Sequence, residues 1–152
     1  MAATAGSGSV GHRRRGPLKQ LATRCVAPLL GVPVELPRAM LASFPELGTA
    51  RFRVGGLPPR VGGWLLGRRS VAAITLWRTI FVAPGVRMDP SLLLHELGHV
   101  RQFESSATFP VRYLWESIRR GYEGNRYEAD AQRYAEHRLT VNRALRPPSQ
   151  DV

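Results

Sequence analysis

The stretch "LLLHELGHVRQF", residues 92–103, places two histidines and a glutamate inside a run of leucine, valine and phenylalanine. Asp89 and Pro90, just before it, are a preferred N-cap and a preferred first helical residue, so we predict a helix from residue 90 to about Phe103. Apolar residues lie on nearly all its sides, which predicts a buried helix. Polar groups in such a helix cost free energy unless a partner replaces water. The stretch is therefore either a poorly built core helix or a helix built around a bound group.

The spacing of the polar residues favours a metal site. Residues four apart lie one turn apart on one helix face, so His95 and His99 can bind one ion together. Glu96 lies beside that ion without binding it. The pattern H-E-x-x-H thus predicts two zinc ligands and a general base that acts on the zinc-bound water. With this composition, an accidental match has a probability of roughly 0.5%. The alternative is a core helix whose histidines bond to backbone carbonyls.

A catalytic zinc uses three protein ligands and a water, so one ligand must come from elsewhere. Asn125 opens a predicted helix that reaches about residue 139 or 145. On it, Glu128 lies at the edge of an apolar face, whereas His137 shares the opposite face with Asp130 and two arginines. We therefore favour Glu128 as the third ligand. The alternatives are a capping box between Asn125 and Glu128, or His137 as the ligand.

Small residues predict that the two helices lie close together. Gly98 lets another part of the chain approach the motif helix, and Ala131 and Ala135 lie beside Glu128 on the later helix. Both features predict direct packing of the helix that carries Glu128 against the motif helix.

"HELGHVRQF" followed by "NRYEADA" resembles the gluzincin class of zinc metallopeptidases, particularly the very short soluble forms called minigluzincins, over about residues 71–137. The resemblance implies one zinc ion bound by His95, His99 and Glu128. It also implies that Glu96 is the catalytic base of a hydrolase that acts on peptide or protein substrates. In that family an edge strand before the active helix binds extended substrate, and residues 79–83 are the matching element here.

Two features of the family lack a clear counterpart. Larger gluzincins often carry an aspartate four residues after the glutamate ligand, where it supports a histidine, but this chain has Gln132 there. Their transition-state donor is a tyrosine or a histidine, for which Tyr113, Tyr122 and Tyr127 are candidates without ranking. The partner of the histidines and the donor both stay open.

The order of the predicted elements indicates an α+β domain. Residues 71–76 and 79–83 are β-rich runs around Trp77-Arg78 and predict a hairpin, and residues 111–120 have helical spacing after Pro110. Strands followed by helices predict an α+β domain. The resemblance implies that this domain is a truncated zincin-like core, in which a small antiparallel sheet or hairpin precedes the active-site helix and the glutamate-bearing helix. The tetrapeptide "RVGG", at residues 53–56 and 60–63, predicts turns between short extended segments.

Composition shifts divide the chain into four parts. These are a disordered basic arm (1–17), a poorly defined N-terminal segment (18–50), a zincin-like metallopeptidase domain (51–145) and a tail (146–152). The N-terminal 50 residues are a candidate flap or inhibitory segment over the cleft. We expect Trp64, Trp77 and Trp115 in the core or along a groove.

Length and composition narrow the class of protein. A chain of 152 residues that is 43% hydrophobic suits one domain with a real core, and no stretch is long enough to span a membrane. Cys25 is the only cysteine, which excludes an internal disulfide and a cysteine metal cluster. We predict a cytoplasmic location, with export through a weak N-terminal signal as the alternative.

The net charge of +11 arises before the motif. Residues 1–88 contain thirteen basic and two acidic residues, whereas residues 89–152 contain nine of each sign. The arginines are mostly single or paired, so we do not expect nucleic acid as a partner. Other interpretations are a non-catalytic zinc-binding interaction or regulatory module, and a basic nucleic-acid or membrane binder with incidental metal. Glu96 favours the peptidase, because zinc binding alone does not need it. The oligomeric state is left open.

Overall fold

The computed structural model describes residues 29–65 and 71–145. The strands are β1 (Val32–Val34), β2 (Arg51–Val54), β3 (Ala73–Leu76) and β4 (Thr79–Val82). The helices are α1 (Arg38–Ser43), a 3-10 helix (Pro45–Thr49), α2 (Pro58–Leu65), α3 (Pro90–Ser105), α4 (Phe109–Arg120) and α5 (Arg126–Leu145). The predicted α+β class is confirmed. Within the described ranges, every helix is too short or too polar to cross a membrane.

The four strands form one mixed sheet in the order β1-β2-β4-β3. The pairs β1–β2 and β3–β4 are antiparallel, but β2 and β4 run parallel, with Phe52 opposite Ile80. We predicted a small antiparallel sheet or hairpin, but the sheet is mixed, because β3 runs back along it and lets β4 join β2 in the same direction. The prediction of residues 79–83 as an edge strand was wrong for the same reason, since β4 is an inner strand and β3 is the edge.

The predicted hairpin is confirmed at β3 and β4, which Trp77-Arg78 joins. Trp77 has a φ of 55°, a left-handed conformation that bulky residues rarely adopt. Its ring stacks on that of Phe103 in α3, with centroids 5.7 Å apart, and this contact offsets part of the backbone strain. Trp77 is mostly exposed and is not a core residue. The side chain of Trp64 lies outside the described part.

The second copy of "RVGG" lies inside α2, so the turn predicted there was wrong. Pro58 and Pro59 can begin a helix, because the first N–H groups of a helix have no helical partner. Gly62 faces the sheet, where an added Cβ would lie 2.8 Å from Cδ1 of Ile74. This glycine therefore serves close packing of α2 on β3. The first copy leaves β2 through a bend, in which Gly55 and Gly56 have φ values of 76° and 90°.

The core lies between the sheet and helices α3 and α5. It consists of buried apolar side chains from nearly every element: Leu36, Phe44, Leu47, Phe52, Ala73, Ile80, Val82, Leu93, Leu94, Leu97, Val100 and Ala135. Leu36, Phe44 and Leu47, like strand β1, belong to the segment 18–50. Its described part therefore belongs to the sheet and core, contrary to the flap hypothesis, and the packed unit extends before residue 51. The arm, Cys25 and the tail lie outside the described residues.

Helix α3 begins as predicted and packs closely on α5. Oδ1 of Asp89 accepts a hydrogen bond from the backbone N–H of Leu92 at 3.0 Å. The closest approach to α5 is at Gly98, where an added Cβ would lie 2.9 Å from Cα and 3.1 Å from Cβ of Ala131. The direct packing predicted from these small residues is confirmed.

Gly98→Ala is expected to destabilise the fold although alanine is the better helix former. The gain in helix propensity is about 1 kcal/mol, whereas a methyl group forced into a packed contact costs about 1–3 kcal/mol, and here the backbone at Ala131 must move. Gly48→Ala is the matched control, since a Cβ at Gly48 meets nothing within 4 Å. Urea denaturation should give a lower midpoint for Gly98→Ala than for the control. Equal midpoints would contradict this packing argument.

Candidate metal centre

Three side chains converge between α3 and α5. The Nε2 atoms of His95 and His99 lie 3.2 Å apart. The carboxylate of Glu128 faces both, with Oε2 at 3.2 Å from Nε2 of His95 and Oε1 at 3.3 Å from Nε2 of His99. Within residues 29–65 and 71–145, this is the one group of three or more histidine, cysteine or acidic side chains whose ligand atoms lie close enough to hold a metal ion.

The three side chains are spaced as the ligands of a tetrahedral zinc ion, with a different carboxylate oxygen of Glu128 facing each histidine. Zinc binds histidine nitrogen and carboxylate oxygen at about 2.0–2.2 Å. Neighbouring ligands of a tetrahedron are about 1.6 times that distance apart, which is roughly 3.3–3.6 Å. The observed separations of 3.2 and 3.3 Å are close to this range. Two imidazoles and one carboxylate also form a ligand set of catalytic zinc sites.

Helix α5 presents Glu128 to α3, because its small buried neighbours allow the two helices to approach. Glu128 is buried, whereas Asp130 and His137 are exposed, so the predicted division of α5 into two faces is confirmed. The capping box is not formed. Oδ1 of Asn125 caps the helix by accepting the N–H of Tyr127 at 2.9 Å, while the Glu128 carboxylate points to the histidines.

Gln102 supports His99, a role that sequence reasoning missed. Its Oε1 lies 2.8 Å from Nδ1 of His99, and its amide donates to the carbonyl of Tyr127 at 2.8 Å. A partner on the outer ring nitrogen orients a ligating histidine and selects its tautomer. Gln132, the position considered for such a role, is exposed and bonds to Glu136 of its own helix. The sequence could have predicted this contact, since Gln102 follows His99 by three residues and therefore lies beside it on the same helix.

Tyr113 is the candidate tyrosine that lies against the ligands. Its hydroxyl donates to Oε1 of Glu128 at 2.5 Å, and its ring meets that of His99 edge-on, with centroids 5.8 Å apart. Burial and the charge of Glu128 raise the pKa of Tyr113, so its hydroxyl stays a donor. The hydroxyl of Tyr127 instead accepts from the preceding arginine, and Tyr122 lies exposed in the turn after α4.

Glu96 is buried beside the histidines and is held by Thr75. Oγ1 of Thr75, on the inner face of β3, donates to Oε2 of Glu96 at 2.7 Å. Burial raises the pKa of Glu96, although the charge of His99 and the bond from Thr75 oppose the rise. A raised pKa makes a carboxylate a better proton acceptor near neutral pH. The sequence held no signal for Thr75, because only strand pairing places it opposite Glu96.

The ionised state of Glu128 suits metal binding. Burial acts to raise the pKa of Glu128, but hydrogen bonds from His95 and His99 outweigh it and hold this pKa well below its usual range. Burial acts to lower the pKa of His99, yet the hydrogen bond to Glu128 and the charge of Glu96 raise it overall. Glu128 is therefore ionised at neutral pH, as a ligand must be. Metal binding displaces any proton from the histidines, since only neutral imidazole is a ligand.

Comparison of the chain with protein-family models finds no match, and neither curated proteins nor solved structures match it. The residues and distances of the candidate metal centre are therefore the basis for assigning a function.

Proposed function

We propose that this chain is a zinc-dependent metallopeptidase of the minigluzincin type. The observation that carries the proposal is the convergence of His95, His99 and Glu128 at the spacing of zinc ligands. The buried carboxylate of Glu96 beside them adds the group that a hydrolase needs and a structural zinc site does not.

Each side chain of the centre has a role in this reaction. His95, His99 and Glu128 would hold the ion, and bound zinc supplies a Lewis acid that acidifies water and polarises a carbonyl group. Glu96 accepts the proton of the attacking water and passes it to the leaving amine. Because Thr75 engages Oε2 of Glu96, we assign Oε1 to that proton transfer. Tyr113 orients Glu128 and is our candidate donor to the substrate carbonyl oxygen.

The edge strand β3 is the element we assign to peptide binding, in place of residues 79–83. No strand in the described part of the chain pairs with the outer side of β3, so an extended peptide can add to the sheet there through its backbone. Thr75 lies in this strand and contacts Glu96, which places the edge beside the metal centre.

The experiment that tests the proposal is hydrolysis of a broad peptide library by the full-length protein, with zinc content measured in parallel. We expect about one zinc per chain and slow but measurable hydrolysis that a chelator abolishes and added zinc restores. Zinc binding without cleavage above the background of the Glu96→Gln variant would contradict the peptidase. The non-catalytic zinc-binding module would then be the better interpretation.

We place the activity in the cytoplasm, because the chain has a single cysteine and a reducing compartment suits such a chain. Fractionation of the source cells checks this location, and recovery of the protein outside the cytoplasm would overturn it.

Thr75→Val is expected to lower kcat with little change in KM. Valine keeps the β-branched shape that suits a strand but removes the hydroxyl that holds Glu96. Loss of a hydrogen bond to a charged group costs about 1.5–3 kcal/mol, which corresponds to roughly 10- to 100-fold in kcat. Thr75→Ser keeps the hydroxyl and should retain most of the wild-type kcat. An equal loss in both variants would assign the effect to packing instead.

A further inference from the structure

Helix α4 carries an apolar face that points into solvent. Four side chains at helical spacing form this apolar stripe: Val111, Leu114, Trp115 and Ile118, which are 73%, 51%, 62% and 72% exposed. Such a stripe normally faces the core of a protein. Here it is turned outward, and Trp115 is a surface residue instead of the core or groove residue expected from the sequence.

The opposite face of α4 is already packed against the domain. Phe109 is buried, and the hydroxyl of Tyr113 donates to Glu128. Oγ of Ser117 accepts from Nδ2 of Asn125 at 2.8 Å. Rolling the helix to bury the apolar stripe would break these contacts. These contacts therefore keep the apolar stripe facing solvent, and no described residue buries it.

Positive charge flanks the apolar stripe. Arg112 and Arg119 are seven residues apart, so they lie on the same side of the helix, and both are exposed. The one carboxylate of α4, on Glu116, is largely buried and pairs with Arg120 and Arg126. The outward surface of α4 is therefore apolar and cationic, on a chain with a net charge of +11.

A second copy of the chain fits this surface poorly. Helix α4 has 12 residues, so its face is about 18 Å long and roughly 10 Å wide. Two such faces would bury about 400 Å², whereas stable interfaces bury about 1,200–2,000 Å². An isologous dimer would also bring the same arginines of both copies together. A lipid surface needs no matching shape and supplies negative charge.

We propose that α4 is a membrane-surface helix that inserts the apolar stripe into the interface of an anionic bilayer. An apolar face flanked by basic residues is typical of helices that lie in the membrane plane. Tryptophan prefers the depth of the headgroups, and arginine is attracted to anionic lipids. The metal centre lies on the other side of α4, where Tyr113 meets Glu128. The docking is independent of the peptidase activity.

The test is co-sedimentation of the full-length protein with vesicles of equal parts phosphatidylcholine and phosphatidylserine, and with phosphatidylcholine alone. We expect binding to the anionic vesicles that weakens with salt. Trp115→Ser/Ile118→Ser should weaken it by about tenfold or more. Leu57→Ser/Val61→Ser is the control, because both side chains are also exposed but belong to α2 and the residue before it, and binding of this variant should equal that of wild type. Circular dichroism checks that each variant is folded.

A second pair of variants tests the charge. Arg112→Gln/Arg119→Gln should bind anionic vesicles more weakly and with less salt dependence, whereas Arg60→Gln/Arg87→Gln should not. No binding by wild type, or equal losses in both pairs, would overturn the proposal. Loss only after glutamine replaces Arg13, Arg14 and Arg15 would place the contact on the arm. A dimer that Trp115→Ser/Ile118→Ser dissociates in analytical ultracentrifugation would make a second copy the occupant and also overturn it.

Discussion

Replacing Glu96 with glutamine is expected to leave a folded, zinc-loaded protein that hydrolyses peptides about 10²–10⁴-fold more slowly than wild type. The amide has nearly the shape of the carboxylate, and its oxygen can still accept the bond from Thr75. It cannot accept a proton from the attacking water. Zinc content should be unchanged, because His95, His99 and Glu128 are the assigned ligands.

The matched control is Glu104→Gln, which makes the same change on the same helix at an exposed glutamate paired with Arg78. Its kcat/KM should equal that of wild type. Peptide hydrolysis and zinc content are measured on wild type and both variants in one series. If Glu96→Gln keeps the wild-type rate, Glu96 is not the base; if it loses zinc, its carboxylate belongs to the ligand set.

His95→Ala, His99→Ala and Glu128→Gln are each expected to lose most of their bound zinc. Each replacement removes or neutralises one of the three side chains that converge, in which each pair of residues has ligand atoms 3.2 or 3.3 Å apart. Because metal that binds only the folded state adds to stability, wild type should gain about 4 kcal/mol when free zinc exceeds its Kd by about 1,000-fold. The variants should gain much less. Metal analysis and thermal unfolding with and without zinc measure both effects.

His137→Ala and Asp130→Ala serve as controls on the outer face of α5, where both side chains are exposed. They should bind zinc and respond to it as wild type does. Metal loss in His137→Ala together with normal binding in Glu128→Gln would move the third ligand to the outer face. Equal stability of all variants with and without zinc would refute the metal centre itself.

The local sequence pattern alone predicted where α3 begins and that Glu128 lies on the inward face of α5. Asp89 and Pro90 begin α3 because N-cap chemistry involves only neighbouring residues. Helical spacing places His95 beside His99, and it separates Glu128 from His137 on α5. These features depend on separations of a few residues along one helix, so the sequence alone predicts them.

Contacts between distant segments were decided only by the tertiary structure. Parallel pairing of β2 with β4 made β3 the edge strand, since register and strand order depend on long-range packing. Packing of β3 against α3 brought Thr75 to Glu96. The second copy of "RVGG", which we predicted as a turn, lies in α2, where Gly62 packs against the sheet. Each of these features depends on a contact between residues that are far apart in the sequence.

The orientation of α4 shows the same division. Its spacing identifies an apolar stripe, but periodicity does not say which way the stripe points. The hydrogen bonds of Tyr113 and Ser117 on its other face turn the stripe toward solvent. The sequence alone therefore determined the helix and its two faces. The tertiary structure decided which face met the candidate metal centre, because Tyr113 bonds to Glu128 on α5 and Ser117 bonds to Asn125 just before it.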